Sequence, residues 1–159
     1  MKKSLHETNY SYQFQPRTKS FKINYVFQLS LDYTKGMVWH FELAAALRKL
    51  REKGVMVIGS GNLVHNLGIV DWHNINGPIM DWAQSFDEQA KGLLTEGNFE
   101  ALVHPERLGR QASLAIPTPE HYLPMLYSLG LAHKDEPLRM LYEGIQYGSI
   151  SMRCFAIGG

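Results

Sequence analysis

The run "GMVWHFELAAALRKLREKG", followed at once by "VMVIGS", constrains the fold more than any other stretch of this chain. Trp39, Leu43, Ala46 and Leu50 recur at helical spacing, Arg48, Lys49, Arg51 and Lys53 gather towards the end, and Gly54 follows. Cations in a last turn offset the negative end of the helix dipole, and a glycine just beyond it takes the left-handed conformation that closes a helix. The segment therefore reads as a helix, and residues 55–60 behind it as a short apolar strand. Ahead of the helix, "INYVFQLSLD" alternates at period two, with Val26, Gln28 and Ser30 against Phe27, Leu29 and Leu31. That is the pattern of a half-buried strand. Strand, helix and strand in succession close most often as a right-handed parallel crossover. The expected class is α/β, a central sheet flanked by helices.

Downstream, "MDWAQSFDEQAKGLLTEGN" repeats Trp82, Phe86, Ala90 and Leu93 at near-helical spacing and stops at Gly97 and Asn98, which predicts a second amphipathic helix. In "ASLAIPTPEHYLPMLYSLG", Thr118 can cap and Pro119 can open a helix. Pro124 cannot lie inside that helix without losing a backbone hydrogen bond, so an irregular turn over 119–123 and a regular helix to 129 are expected. "GSISMRCFAIG" alternates and reads as a closing strand.

A chain of 159 residues can bury one sizeable core. Residues 1–22 stand apart, with Lys2, Lys3, Arg17, Lys19 and Lys22 against Glu7 alone and aromatics of no fixed period. They read as a poorly ordered arm, leaving 23–159 as the domain. A formal net charge of +1 gives no global attraction for a polyanion, so no nucleic-acid partner is expected. Cys154 is the only cysteine, which excludes an intrachain disulfide and a thiolate metal cluster within one chain. With no apolar run of spanning length and no apolar segment after "MKK", a cytoplasmic protein without a membrane span is expected.

Ligands in α/β folds bind beyond the carboxyl ends of strands, and the 55–60 run leads through "GSGN" to His65. Small residues there let backbone approach a ligand, and Asn62 offers both a donor and an acceptor. The alternative is a tight connection carrying a surface histidine; a dinucleotide loop is disfavoured because the third glycine is missing. His121 is the second candidate, because the prolines of "PTPEHYLP" restrict the backbone around it as suits a metal ligand or a proton-transfer group. Proline-rich helix starts are also commonly structural. His40 reads as a ring packed beside Trp39 and Phe41, His73, His104 and His133 as solvated, and Cys154 as an inert buried thiol.

Taken in order, "VFQLSLD", "WHFELAAALRKLREKGVMVIGSGNLVHNL", "DW" with "WAQSFDE", "PTPEHYLPMLYSLG" and "EGIQYGSISMRCFAIG" closely resemble the C-terminal half of class III extradiol ring-cleavage dioxygenases, in the 4,5-DOPA branch. The resemblance runs over about residues 24–159. It implies a partial fold of that family and a mononuclear site holding Fe(II), or Zn(II) as in related structures. It also implies insertion of both atoms of O2 into a catechol such as DOPA, giving a muconic semialdehyde-type product. His121 matches the family's metal-ligand histidine, and His65 matches an active-site histidine acting as ligand or acid/base group. Further metal-binding histidines of the family lie in an N-terminal half that this sequence does not match. The resemblance thus implies a truncated dioxygenase whose exposed sheet edge invites self-association or a separate N-terminal half. The alternative is a non-catalytic remnant or interaction subunit of a split dioxygenase; a metal-dependent hydrolase using the same histidines is a third reading.

Overall fold

A computed structural model describes residues 25–158 of the chain, which divides into two units meeting between Leu31 and Asp32. Residues 25–31, the described part of the first unit, form neither helix nor strand. The strand expected over 26–31 is therefore absent. A period-two sequence becomes a strand only when a neighbour supplies its ladder, and no described residue pairs with this one.

The second unit opens with α1 (Met37–Ala46) and the single turn α2 (Lys49–Glu52), closed by Gly54 at φ +79°. The helical face is rotated one residue from the expected stripe: His40 and Ala44 are buried, whereas Trp39 and Leu50 are exposed. The cause is the close packing of α1 on α6 (Leu123–Gly130). A Cβ on Gly130 would stand 2.5 Å from the Phe41 carbonyl oxygen and 2.7 Å from the Ala44 Cβ, so glycine lets the two backbones touch.

Between these helices run α3 (Asp81–Thr95), α4 (Phe99–Val103) and α5 (Arg110–Ala115). Helix α3 is the one the sequence announces, with Gly97 at φ +72° beyond its end and Asp81 in its first turn facing the positive pole of the helix. Its buried side is Ala83, Phe86, Asp87, Ala90 and Leu94. Pro124 behaves as expected: a turn through residue 122, with the Tyr122 and Leu123 amides both donating to the Pro119 carbonyl at 2.9 Å, leads into α6. Pro124 then sits in the first turn, where its missing N–H costs nothing. Thr118 is not the helix cap; its hydroxyl donates instead to Glu120 at 2.5 Å.

The strands are short and antiparallel. β1 (Leu138–Tyr142) pairs with β4 (Cys154–Ile157), and β2 (Ile145–Gln146) with β3 (Ile150–Ser151). The class is mixed helix and sheet, as expected. No parallel ladder occurs among the described residues, and 55–60 carry no strand pairing. The closing strand is interrupted at 152–153, and Cys154 is exposed rather than buried, because β1 is the single neighbour of β4 among the described residues. No helix among the described residues is long and apolar enough to cross a membrane.

Candidate functional site

Three segments meet around His65. Its amide donates to the Ala115 carbonyl at 3.0 Å, and the residue forms an isolated antiparallel bridge with Ile150. The Ser151 amide donates to the Val64 carbonyl at 3.1 Å, and the Asn62 side-chain amide donates to the Ser151 carbonyl at 2.8 Å. The end of α5, the 62–65 loop and β3 are thus stitched together by backbone. His65 as a whole is 2% exposed.

His121 is brought alongside by the turn that precedes α6. The two rings stack with centroids 5.0 Å apart and planes at 28°. The glycines of "GSGN" explain the approach by space: a Cβ on Gly61 would lie 2.1 Å from the His121 carbonyl oxygen, and one on Gly59 2.3 Å from that of Pro124. The small residues after "VMVI" therefore admit the His121 turn itself.

Both ring nitrogens of His65 face carbonyl oxygens, Nδ1 that of Asn62 at 3.1 Å and Nε2 that of Thr118 at 2.8 Å. A neutral imidazole has one N–H and can serve only one of these acceptors; the imidazolium serves both. Burial opposes the charge and dominates, with the Thr118 carbonyl pulling the other way, and His65 is left with a pKa below the ordinary histidine value. Its neutral ring stands in a setting that already holds an acceptor for a second proton. Beside it, the Thr118 hydroxyl lowers the Glu120 pKa, so a carboxylate flanks the pair.

Of the remaining histidines, His40 is fully buried and bonded through Nδ1 to the Tyr127 hydroxyl at 2.9 Å and through Nε2 to the Asp32 carbonyl at 3.1 Å. Its ring meets Trp39 edge-on at 5.1 Å, the packing expected of it, but its burial goes beyond a surface ring. His73 is exposed, and His104 lies between Glu100 and Glu106.

The sequence reading missed a buried charge cluster behind the site. The Arg153 guanidinium, 2% exposed, makes a bidentate pair with Asp87 and also donates to Glu143 at 2.7 Å. Burial works against this charge, and the hydrogen bonds it donates to Asp87 and Glu143 overcome it, raising the Arg153 pKa. The signal was present in the sequence: Asp87 falls on the apolar stripe of α3, one position after Phe86.

Residues 16–153 match the family model described as the catalytic LigB subunit of aromatic ring-opening dioxygenase. The chain belongs to this LigB family. The match takes in residues 16–22, part of the stretch that composition sets apart. Among curated relatives, the chain is 45% identical over 133 residues to the 4,5-DOPA dioxygenase extradiol of Escherichia coli K12, covering 82% of this chain and 49% of that protein. It is 30% identical over 130 residues to the protein of the same name from Beta vulgaris, covering 79% of this chain and 46% of the relative. The chain thus spans about half the length of the curated relatives it matches. Its fold is similar to the crystal structure of an uncharacterized protein from Escherichia coli K12, with a TM-score of 0.73 and 42% identity over 82% of this chain and 53% of the other.

A LigB-type mononuclear metal can be weighed against the donors present. Among the described residues no three His, Cys, Asp or Glu side chains come together as a ligand set. His65 and His121 supply two imidazoles, and both His65 nitrogens face carbonyls. The described residues do not by themselves complete a metal centre.

Proposed function

We propose that this LigB-family chain forms part of an extradiol dioxygenase that opens the ring of a catechol such as DOPA with O2. The stacked pair of His65 and His121, held in one pocket of backbone by the 59–65 and 115–122 segments, is the observation that supports this reading. The cofactor in this reading is one Fe(II) or Zn(II), with further donors from outside the described residues.

The chemistry of the two rings supports a division of roles. A metal takes a bare nitrogen lone pair, whereas nitrogens that face carbonyl oxygens are placed as donors. His121 is accordingly the metal ligand, and His65, although also a candidate ligand, fits better as the acid/base group. Its burial keeps the ring neutral near physiological pH, ready to accept a proton from a substrate hydroxyl and return it later. Nε2 faces the Thr118 carbonyl, which lies in the same 117–122 turn as His121.

A second reading is favoured by residues 55–58. Met56 and Ile58 are 78% and 77% exposed, and the segment has no ladder partner among the described residues. Exposed, unpaired apolar backbone is a template for strand addition. In this reading the chain is a non-catalytic or interaction subunit that self-associates or pairs with a separate N-terminal half.

The test is O2 uptake by the Fe(II)-supplemented chain with DOPA, alone and with a separately produced N-terminal half of a LigB relative. Consumption of one O2 per catechol, lost in His65→Ala and His121→Ala, supports the dioxygenase. Uptake that appears only with the second polypeptide joins the two readings. Hydrolysis of an ester or amide substrate without O2 consumption overturns both.

A further inference from the structure

The Asp87–Arg153 pair lies outside the His65–His121 site, yet an unbroken line of contacts joins them. Asp87 accepts from the Ser151 hydroxyl at 2.6 Å, and Ser151 is 1% exposed. The Ser151 carbonyl accepts from the Asn62 side-chain amide at 2.8 Å. The Asn62 carbonyl in turn faces His65 Nδ1 at 3.1 Å. The Arg153 amide donates back to the Ser151 hydroxyl at 3.3 Å, so the serine is gripped from both sides. We infer that Asp87 and Arg153 are positioning residues for His65, acting through Ser151 and Asn62 to fix which ring nitrogen faces which carbonyl. The functional meaning of this assignment rests on the acid/base role proposed for His65.

Three features argue that the arrangement does more than staple α3 to β3. Asp87 sits on the apolar side of α3, where an alanine or leucine would pack without any need for a charged partner. The Asp87 carboxylate directs its Oδ1 to Ser151 as well as to the guanidinium, which orients the serine rather than merely neutralising Arg153. Finally, Ser151 contacts the His65 loop twice, through its amide to Val64 and its carbonyl to Asn62, so a displacement of that residue moves both flanks of the loop. With the Asn62 carbonyl held, His65 has one orientation in which each nitrogen meets oxygen, and a flipped ring would present carbon to both.

The test reads the ring and not the activity. In the chain labelled with 13C- and 15N-histidine, nuclear Overhauser contacts from the ring Hδ2 and Hε1 protons report which edge of each imidazole faces which segment, and His65→Gln assigns the His65 signals. His40 is the internal control, being equally buried but bonded to Tyr127 and Asp32. Ser151→Ala removes one link with little change of volume, Asn62→Ala removes the next by deleting the side-chain amide, and Asp87→Asn removes the anchor. The expected result is a single His65 ring orientation in the parent chain that becomes a mixture in all three variants, with His40 unchanged. If Asp87→Asn does not fold, the two smaller variants carry the test. An unchanged His65 pattern in folded Ser151→Ala and Asn62→Ala overturns the inference, and so does an equal change at His40. Failure of catechol cleavage with the His65 response intact overturns the dioxygenase reading and leaves the positioning role standing.

Discussion

Gly61→Ala should damage both stability and the site, for a reason that can be worked from one distance. The new Cβ would stand 2.1 Å from the His121 carbonyl oxygen and 2.9 Å from its carbon. Ordinary contact begins at 3.4 Å, so from 2.1 Å the peptide must retreat by about 1.3 Å. Neither atom is the end of a flexible side chain; the movement has to be taken by the 117–122 turn, which is pinned by the Pro119 carbonyl bonds and by α6. Overpacking of this kind costs about 1–3 kcal/mol, which for a domain of this size lowers Tm by roughly 3–10 °C. A shift of about 1 Å in a catalytic group costs on the order of 100-fold in turnover. Urea denaturation and calorimetry give the first quantity, and O2 uptake with DOPA the second. Gly92→Ala is the control: it lies within α3 with nothing inside 4 Å of its Cβ, and it should gain about 0.5–1 kcal/mol. Equal stabilities for the two alanine variants would mean that the backbone contact at Gly61 is not close.

Asp87→Ala strips a nearly buried guanidinium of its bidentate partner and should cost about 3–5 kcal/mol. The double variant Asp87→Leu with Arg153→Met should recover most of that; a single variant within 0.5 kcal/mol of the parent, on the order of an ordinary surface substitution, would show that the pair is not load-carrying. Glu136, hydrogen-bonded by Arg51, has its pKa lowered from 4.5 to about 2. The unfolded chain therefore binds the extra proton first as pH falls, so the stabilisation is complete above pH 4.5 and disappears as pH drops through about 2. The side chains are 23% and 21% exposed, and solvent screening limits the effect to about 1 kcal/mol. Urea midpoints at neutral and acid pH should converge for the parent and Glu136→Gln; a constant gap between them would contradict this.

What was legible in the sequence followed from local rules. Gly54, Gly97 and Pro124 each act within a few residues, and each ended or delayed a helix where expected. His65 and His121, from stretches far apart in the chain, were picked out by their glycine and proline settings, and they do meet. The losses came from contacts between distant segments. Strand character at 26–31 and 55–60 depends on a neighbour that no sequence period reveals. The inward face of α1 was set by Gly130, on another helix, and so turned by one residue from the stripe read off α1 alone. Asp87 and Arg153 look like solvated charges until β3 brings them together, although the position of Asp87 among Ala83, Phe86 and Ala90 was visible beforehand. Cys154 was misplaced because alternation shows which residues share a face, not whether anything covers it.

In the proposed site His121 holds the metal and His65 moves the proton. Anaerobic titration calorimetry of Fe(II) into the purified chain, beside His121→Ala and His65→Gln, separates the two roles. One equivalent bound per chain is expected, lost in His121→Ala and retained in His65→Gln even as that variant loses catechol turnover. Weak binding that neither substitution alters, or binding lost in His65→Gln and kept in His121→Ala, would contradict that assignment.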